Sequence, residues 1–230
     1  MRAVSRTVSR RTVLGLALAG LVTVPRLGRA VAAAQVGGPV GGPAVDPAVG
    51  NVMAPIRVLN DGLLGVMRAG KPTPFRDRFH MLAPTVDRVF DLAGILRISV
   101  GPRWAGIDAA QQTALTRVFR RFTVASYVDN YDSYADERFD VAPTLRAIGA
   151  DQVVSTTMVP ASGDTVRIDY VMRQKEGGWK IVDALLDGTI SRVAVQRSDF
   201  RGVLAQGGAP ALIVSLERKV ADLAGGALES

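Results

Sequence analysis

The chain has 230 residues, no cysteine and one histidine, and 28 basic against 21 acidic residues give it a formal net charge of +7. The absence of cysteine excludes disulfides, thiol nucleophiles and thiolate metal sites, and a single histidine removes most zinc sites. The basic excess would suit nucleic-acid binding, but residues 1–34 contain six arginines and no acid. Without them 22 basic residues face 21 acidic ones, a net of +1, so we expect no nucleic-acid partner.

Residues 1–34 have the pattern of an export signal. Arg10 and Arg11 stand directly before an apolar run from Val13 to Val24, and small residues close the segment. This order is typical of a cleavable signal, and the arginine pair favours the twin-arginine (Tat) route. The apolar run has about 12 residues, fewer than the ~20 that a spanning helix needs. We predict cleavage near Ala32–Ala34, with an uncleaved membrane anchor as the alternative.

Two further segments are predicted. Residues 35–50 are rich in Gly and Pro without an apolar period, which indicates a flexible linker. A single domain then spans 51–224.

The first half of this domain is predicted to be helical. One helix follows the apolar stripe from Ile56 to Met67, and a short helix covers 74–82. Another helix begins at Pro84, a residue type favoured at the first helical position. Asp108, three residues before Gln111, resembles a capping box and opens a long helix.

The second half changes to the period of β-strands. Ile168, Tyr170 and Met172 share one apolar face of the third predicted strand. A sheet with one apolar face indicates helices on one side only, which is the α+β class. We therefore predict helices covering one face of a twisted antiparallel sheet of about four strands. The strands are 137–142, 152–159, 165–174 and 179–186, and closing helices cover about 190–205 and 209–223 on either side of Gly207-Gly208.

Short motifs recur along the chain in an order and spacing that resemble one family. They are Phe90-Asp91-Leu92, Val100-Gly101-Pro102-Arg103-Trp104, Ala109-Ala110-Gln111-Gln112, Phe119-Arg120-Arg121-Phe122, Val166-Arg167-Ile168-Asp169-Tyr170, Gly178-Trp179-Lys180-Ile181-Val182-Asp183 and Gly207-Gly208. Together they are similar to the MlaC, or toluene-tolerance, family of periplasmic phospholipid-binding proteins. One branch of that family is associated with hopanoid biosynthesis.

The resemblance implies an NTF2-like cone with an apolar cavity between sheet and helices. It also implies a periplasmic, monomeric shuttle that carries phospholipid or a hopanoid-type lipid and maintains the lipid asymmetry of the outer membrane. Its partners would be an inner-membrane ABC-type lipid-transport complex and an outer-membrane lipoprotein complex. The resemblance implies no cofactor and no metal.

Lipid carriage suggests which side chains matter. An acyl chain of ~15 methylenes gains about 0.8 kcal/mol per methylene on burial, but a close-packed core leaves no room for it. The candidates to line a cavity share inward faces: Phe90, Leu96, Phe119, Phe122, Val154, Met158, Ile168, Tyr170, Met172 and Leu185. Arg167 and Arg173 are candidates for the head-group phosphate. Ordinary core packing and a solvated outer face are the respective alternatives.

Two other functions remain open. A cavity enzyme, such as a hydrolase or isomerase, would use Asp183 as base with Tyr127 as hydrogen-bond donor, because simple alternation puts Asp183 on the face of Ile181 and Leu185. We expect no enzyme, since G-x-S-x-G, P-loop and H-E-x-x-H motifs are all absent from the sequence. An adaptor of a membrane complex that carries no ligand is the second alternative.

Overall fold

A computed structural model describes residues 47–228, so the predicted export signal and most of the predicted linker lie outside the described residues. The helices are α1 (Pro47–Ala69), α2 (Phe75–Val89), α3 (Leu92–Val100), a 3-10 turn (Gly101–Gly106), α4 (Ala109–Asn130) and α5 (Arg192–Ala224). The strands are β1 (Arg138–Ile148), β2 (Asp151–Val159), β3 (Val166–Lys175), β4 (Gly178–Leu186) and β5 (Ile190–Ser191). Helix α1 thus begins inside the segment assigned to the linker.

The predicted helix start at Pro84 is wrong, because α2 continues through this proline to Val89. Proline removes one helical hydrogen bond, that to the carbonyl of His80. Both residues are exposed, so water replaces the missing donor. The opposite face of α2 buries an apolar stripe that includes Leu82 and Val86. The helix ends instead at Phe90, whose backbone is extended.

Two predicted helix boundaries are confirmed by local hydrogen bonds and dihedral angles. The Asp108 carboxylate accepts a hydrogen bond from the Gln111 backbone N–H at 2.9 Å, which caps the start of α4. Helix α5 is kinked at Gly207-Gly208, where the φ of Gly208 is +63°. Only glycine adopts this conformation readily.

The sheet is antiparallel with the strand order β1-β2-β3-β4-β5. It therefore has five strands where about four were predicted, because two residues after β4 form the short β5. Helix α1 packs against β1, β2 and β4, and α2, α3 and α5 pack against β4. The α+β class and the antiparallel sheet are thus as predicted. None of the helices within residues 47–228 is long and apolar enough to cross a membrane.

Strand β1 is longer than predicted, because it continues past Pro143 to Ile148. Its pairing with β2 shifts register between Val141 and Leu145. Proline has no N–H to donate, but an edge strand tolerates it at an irregular position.

A β-bulge in β4 corrects the predicted alternation. Val171 pairs with Asp183 and Met172 pairs with Ile181, so Val182 is the extra residue. A bulge of this kind reverses the faces of all later side chains in the strand. Asp183 therefore lies on the face opposite to Ile181, and Leu185 lies there too.

The carboxylate of Asp183 instead fixes the start of α5. It accepts hydrogen bonds from the backbone N–H groups of Val193 at 3.1 Å and Ala184 at 2.8 Å, and from the Ser191 hydroxyl. Ser191 is itself the N-cap residue of α5.

We predict that Asp183→Ala lowers the free energy of unfolding by about 1–3 kcal/mol, because three donors lose their acceptor. Urea unfolding followed by circular dichroism measures this change. The control Asp164→Ala removes an exposed carboxylate from the loop before β3 and should change stability by less than about 0.5 kcal/mol. Equal effects of the two substitutions would contradict the capping role.

Candidate functional site

An apolar cluster between the sheet and the helices collects nine of the ten predicted lipid-binding residues. Seven of these are buried members of the cluster: Phe90, Leu96, Phe119, Val154, Ile168, Tyr170 and Met172. Phe122 and Met158 are partly buried and pack against it. The sheet residues face the cluster because side chains alternate along a strand. The others face it because they lie on the apolar side of α3 or α4, or directly after α2.

Leu185 is the exception, and its predicted inward position is wrong. It pairs with Asp169 on the other face of the sheet. The bulge at Val182 is the physical cause, since the sequence alternation before and after it differs in phase.

Two polar atoms inside this region were not predicted. Thr156 Oγ1 and Asn60 Oδ1 are buried, and no described residue forms a hydrogen bond with either atom. Thr156 is 1% exposed and Asn60 is 5% exposed. Buried polar groups are nearly always paired, so each unpaired atom requires an explanation.

Thr156 lies on a strand that α1 covers, and Asn60 lies on α1 itself. Thr156 lies between Val154 and Met158 on the apolar side of β2. Asn60 interrupts the apolar stripe of α1, four residues after Ile56. Both residues could therefore have been found in the sequence, because each is a polar residue at an inward position, one of a helical stripe and one of a strand.

The buried Tyr131 and Tyr170 and the half-buried Tyr127 add further polar groups. The rings of Tyr127 and Tyr131 are stacked with centroids 6.0 Å apart, and Phe90 lies 5.7 Å from Tyr127. Burial raises the pKa of Tyr131 to about 12 and also raises the pKa of Tyr127 and Tyr170 above the ordinary value. These hydroxyl groups are neutral at physiological pH, so they suit uncharged oxygen atoms of a ligand.

Phe90 also lines an open groove with a volume of about 520 Å³ at the start of α3. The charged residues at the groove are mostly paired: Arg120 with Asp87 at 2.6 Å and Lys175 with Asp91 at 2.7 Å. Burial alone would raise the pKa of Asp91, but hydrogen bonds from Lys175 and the backbone of Gly94 hold it below its ordinary value. The groove thus extends from charged residues at the surface to the ring of Phe90, which packs on Tyr127.

The structure does not bring Arg167 and Arg173 to the interior. Both point to the outer face of β3, because they alternate with the inward side chains of that strand. The guanidinium of Arg167 binds Asp169 at 2.8 and 2.9 Å, and that of Arg173 binds Asp151 at 2.6 and 2.8 Å. Each arginine thus binds a carboxylate through Nε and Nη2 on the outer face of the sheet, and the head-group contact stays a prediction.

The structure does not support the Asp183–Tyr127 pair of the enzyme alternative. Asp183 lies on the outer face and binds the start of α5, whereas the half-buried Tyr127 packs between the rings of Phe90 and Tyr131. His80 is exposed on α2. Within residues 47–228 we find no group of three metal-ligating side chains.

Comparisons with known proteins agree with this architecture. The family model described as "MlaC protein" matches residues 58–218. No curated protein matches the chain significantly. Among solved structures, the phospholipid-binding protein from Ralstonia solanacearum in complex with a phospholipid is similar, with a TM-score of 0.66 and 20% identity. The match covers 76% of this chain and 99% of that chain, and at this identity it concerns the fold.

We predict that Thr156→Val raises the free energy of unfolding of the lipid-free protein by about 1 kcal/mol. The substitution keeps the side-chain shape and removes a buried hydroxyl whose desolvation costs about 1–3 kcal/mol. Chemical denaturation of delipidated protein measures the change.

The matched control is Thr157→Val, the same change one residue later on the outer face of β2. Thr157 is partly exposed, so the control should change stability by less than about 0.5 kcal/mol. A clear loss of stability in Thr156→Val would mean that the hydroxyl has a partner in the protein.

Proposed function

The chain belongs to the MlaC family, and on that premise we propose that it is a periplasmic lipid-binding shuttle. It carries phospholipid or a hopanoid-type lipid between inner- and outer-membrane complexes, as the soluble component of an ABC-type lipid-transport system. The observation that carries this proposal is the apolar cluster between the sheet and the helices, together with the buried, unpaired Thr156 Oγ1 on the inward face of β2. The similar protein from Ralstonia solanacearum was solved with a phospholipid, which supports the proposal.

Acyl chains occupy the region between α1, the inward face of the sheet and the aromatic residues Phe90 and Phe119. A chain of ~15 methylenes gains about 12 kcal/mol on leaving water. This gain is similar to the whole stability of a typical domain, about 5–15 kcal/mol. A bound chain therefore offsets the loss of contacts when helices and sheet move apart to admit it.

Thr156 contacts an ester oxygen of the lipid, because its hydroxyl can donate a hydrogen bond to an ester carbonyl. Its buried oxygen otherwise has no partner, which disfavours the empty state by about 1–3 kcal/mol. The buried Asn60 Oδ1 is itself an acceptor, so a lipid hydroxyl, and not an ester oxygen, would be its partner. The lipid thus relieves an unfavourable feature of the lipid-free protein.

The charged head group lies at the groove beside Phe90. Phe90 lines this groove and also packs on Tyr127, so it connects the surface to the interior. The paired charges of the groove are partly solvated and hold a head group only weakly. Weak head-group binding suits a carrier, which has to release its lipid to the next complex.

We predict that Thr156→Val weakens the binding of a fluorescent phospholipid analogue about fivefold, because one hydrogen bond contributes about 1 kcal/mol. Thr157→Val should bind as the wild type does. Equilibrium titration with vesicles that contain the analogue measures both.

The same substitution at position 156 therefore stabilises the protein and weakens its lipid binding. Unchanged binding in Thr156→Val would contradict the polar contact. Failure of the wild type to take up lipid at all would favour the adaptor alternative. Asp183 does not support the enzyme alternative, because its carboxylate already accepts hydrogen bonds from three donors.

We also propose that export uses the twin-arginine route with cleavage near Ala32–Ala34. The substitution Arg10→Lys with Arg11→Lys should leave the precursor in the cytoplasm, since this route recognises the arginine pair. Cell fractionation and the mass of the product measure the outcome. The control Arg2→Lys with Arg6→Lys should be exported normally, and normal export of both variants would indicate an ordinary secretory signal.

A further inference from the structure

A second pocket lies where the C-terminal end of α3 and the 3-10 turn meet α5. Its volume is about 230 Å³. Three arginines and three apolar residues line it: Val100, Pro102, Arg103, Arg197, Arg201 and Leu204. None of the proposed lipid-binding residues is among them, although the buried Val100 and Leu204 also belong to the apolar cluster.

The three arginines of this pocket lack acidic partners. Within residues 47–228, none of Arg103, Arg197 and Arg201 forms a salt bridge or a side-chain hydrogen bond. Other arginines of the fold, such as Arg120 and Arg173, pair with a carboxylate at 2.6 Å. Three guanidinium groups at one pocket without an acid create an unbalanced positive charge there.

The backbone brings these charges together. Arg197 and Arg201 are four residues apart on α5, where like charges face each other and repel. The 3-10 turn adds Arg103. Gly101, with φ of +72°, forms the bend between α3 and the turn, a conformation that side-chain-bearing residues rarely adopt.

The remaining walls of the pocket are apolar. Val100 and Leu204 are buried, and Pro102 lies between Gly101 and Arg103 at the turn. An apolar floor lowers the local dielectric constant and strengthens charge-assisted hydrogen bonds at the rim. Guanidinium groups match the oxygen spacing of phosphate and bind it through two parallel hydrogen bonds.

We propose that Arg103, Arg197 and Arg201 form a binding site for a phosphate group. The phosphate comes from the head group of an anionic phospholipid at a membrane surface or from free phosphate in solution. A head group at this pocket would hold the protein at the membrane with which it exchanges lipid. The inference does not depend on lipid being carried in the interior.

The test uses the double substitution Arg197→Gln with Arg201→Gln. Calorimetric titration with inorganic phosphate at low ionic strength should show at least about tenfold weaker binding than in the wild type, because each lost charge-assisted hydrogen bond contributes a factor of this order. Binding to the wild type should also weaken with added salt, as expected for exposed charges. Co-sedimentation with vesicles of phosphatidylcholine, with and without phosphatidylglycerol, forms the second arm.

The two arms distinguish the sources of phosphate. Binding to phosphatidylglycerol vesicles that free phosphate displaces would assign the site to a lipid head group. Phosphate binding without vesicle binding would assign it to free phosphate. Both results support the site, provided that the double variant loses the binding.

The matched control is Arg117→Gln with Arg218→Gln, which removes two exposed charges outside the pocket. Thermal unfolding should show that both double variants fold as the wild type does. The proposal is overturned if both variants lose phosphate binding equally, since net charge then explains the effect. It is also overturned if the wild type binds neither probe more tightly than Arg197→Gln with Arg201→Gln. Uptake of lipid into the interior is measured separately, so neither result affects the proposed function.

Discussion

The apolar region beneath the sheet has to meet two opposing requirements. It is the core on which the described fold depends, since α1 and the sheet meet there around the fully buried Tyr170 and Met172. In the proposed function, the helices and the sheet also move apart there to admit acyl chains. Close packing favours the first requirement and the burial of methylenes favours the second. The unpartnered hydroxyl of Thr156 favours the occupied state, because the empty state leaves it without a hydrogen bond.

The outer face of the sheet stays ordered without a second layer of helices. Asp169 is fully buried there, and Arg167 and Arg146 cover it. Burial raises the pKa of Asp169, but the hydrogen bond from Arg167 and its other polar partners hold it below the ordinary value. Arg173 and Asp151 form a similar pair. These ion pairs satisfy the charged groups of the outer face without a second layer of helices.

Much of this arrangement is visible in the sequence, and the exceptions have local physical causes. Apolar periodicity is enough to predict α1, the α+β class and nine of the ten interior residues. It fails at Pro84, where a buried helical stripe outweighs one lost hydrogen bond, and at Leu185, where the bulge at Val182 changes the phase of the strand. Arg167 pairs with Asp169 two residues later on the same strand, but the pairing of Arg173 with Asp151 joins two strands, which alternation within one strand does not encode. Asn60 and Thr156 were visible as polar interruptions, but only the three-dimensional contacts show that they lack partners.

The most direct test of the account is native mass spectrometry of the protein purified from a bacterial periplasm, followed by extraction and identification of bound lipid. The account predicts a lipid in near-stoichiometric amount, with a mass that separates phospholipid from hopanoid. A protein that carries no lipid and takes up none from added vesicles would contradict the central claim, because the apolar region would then be ordinary core.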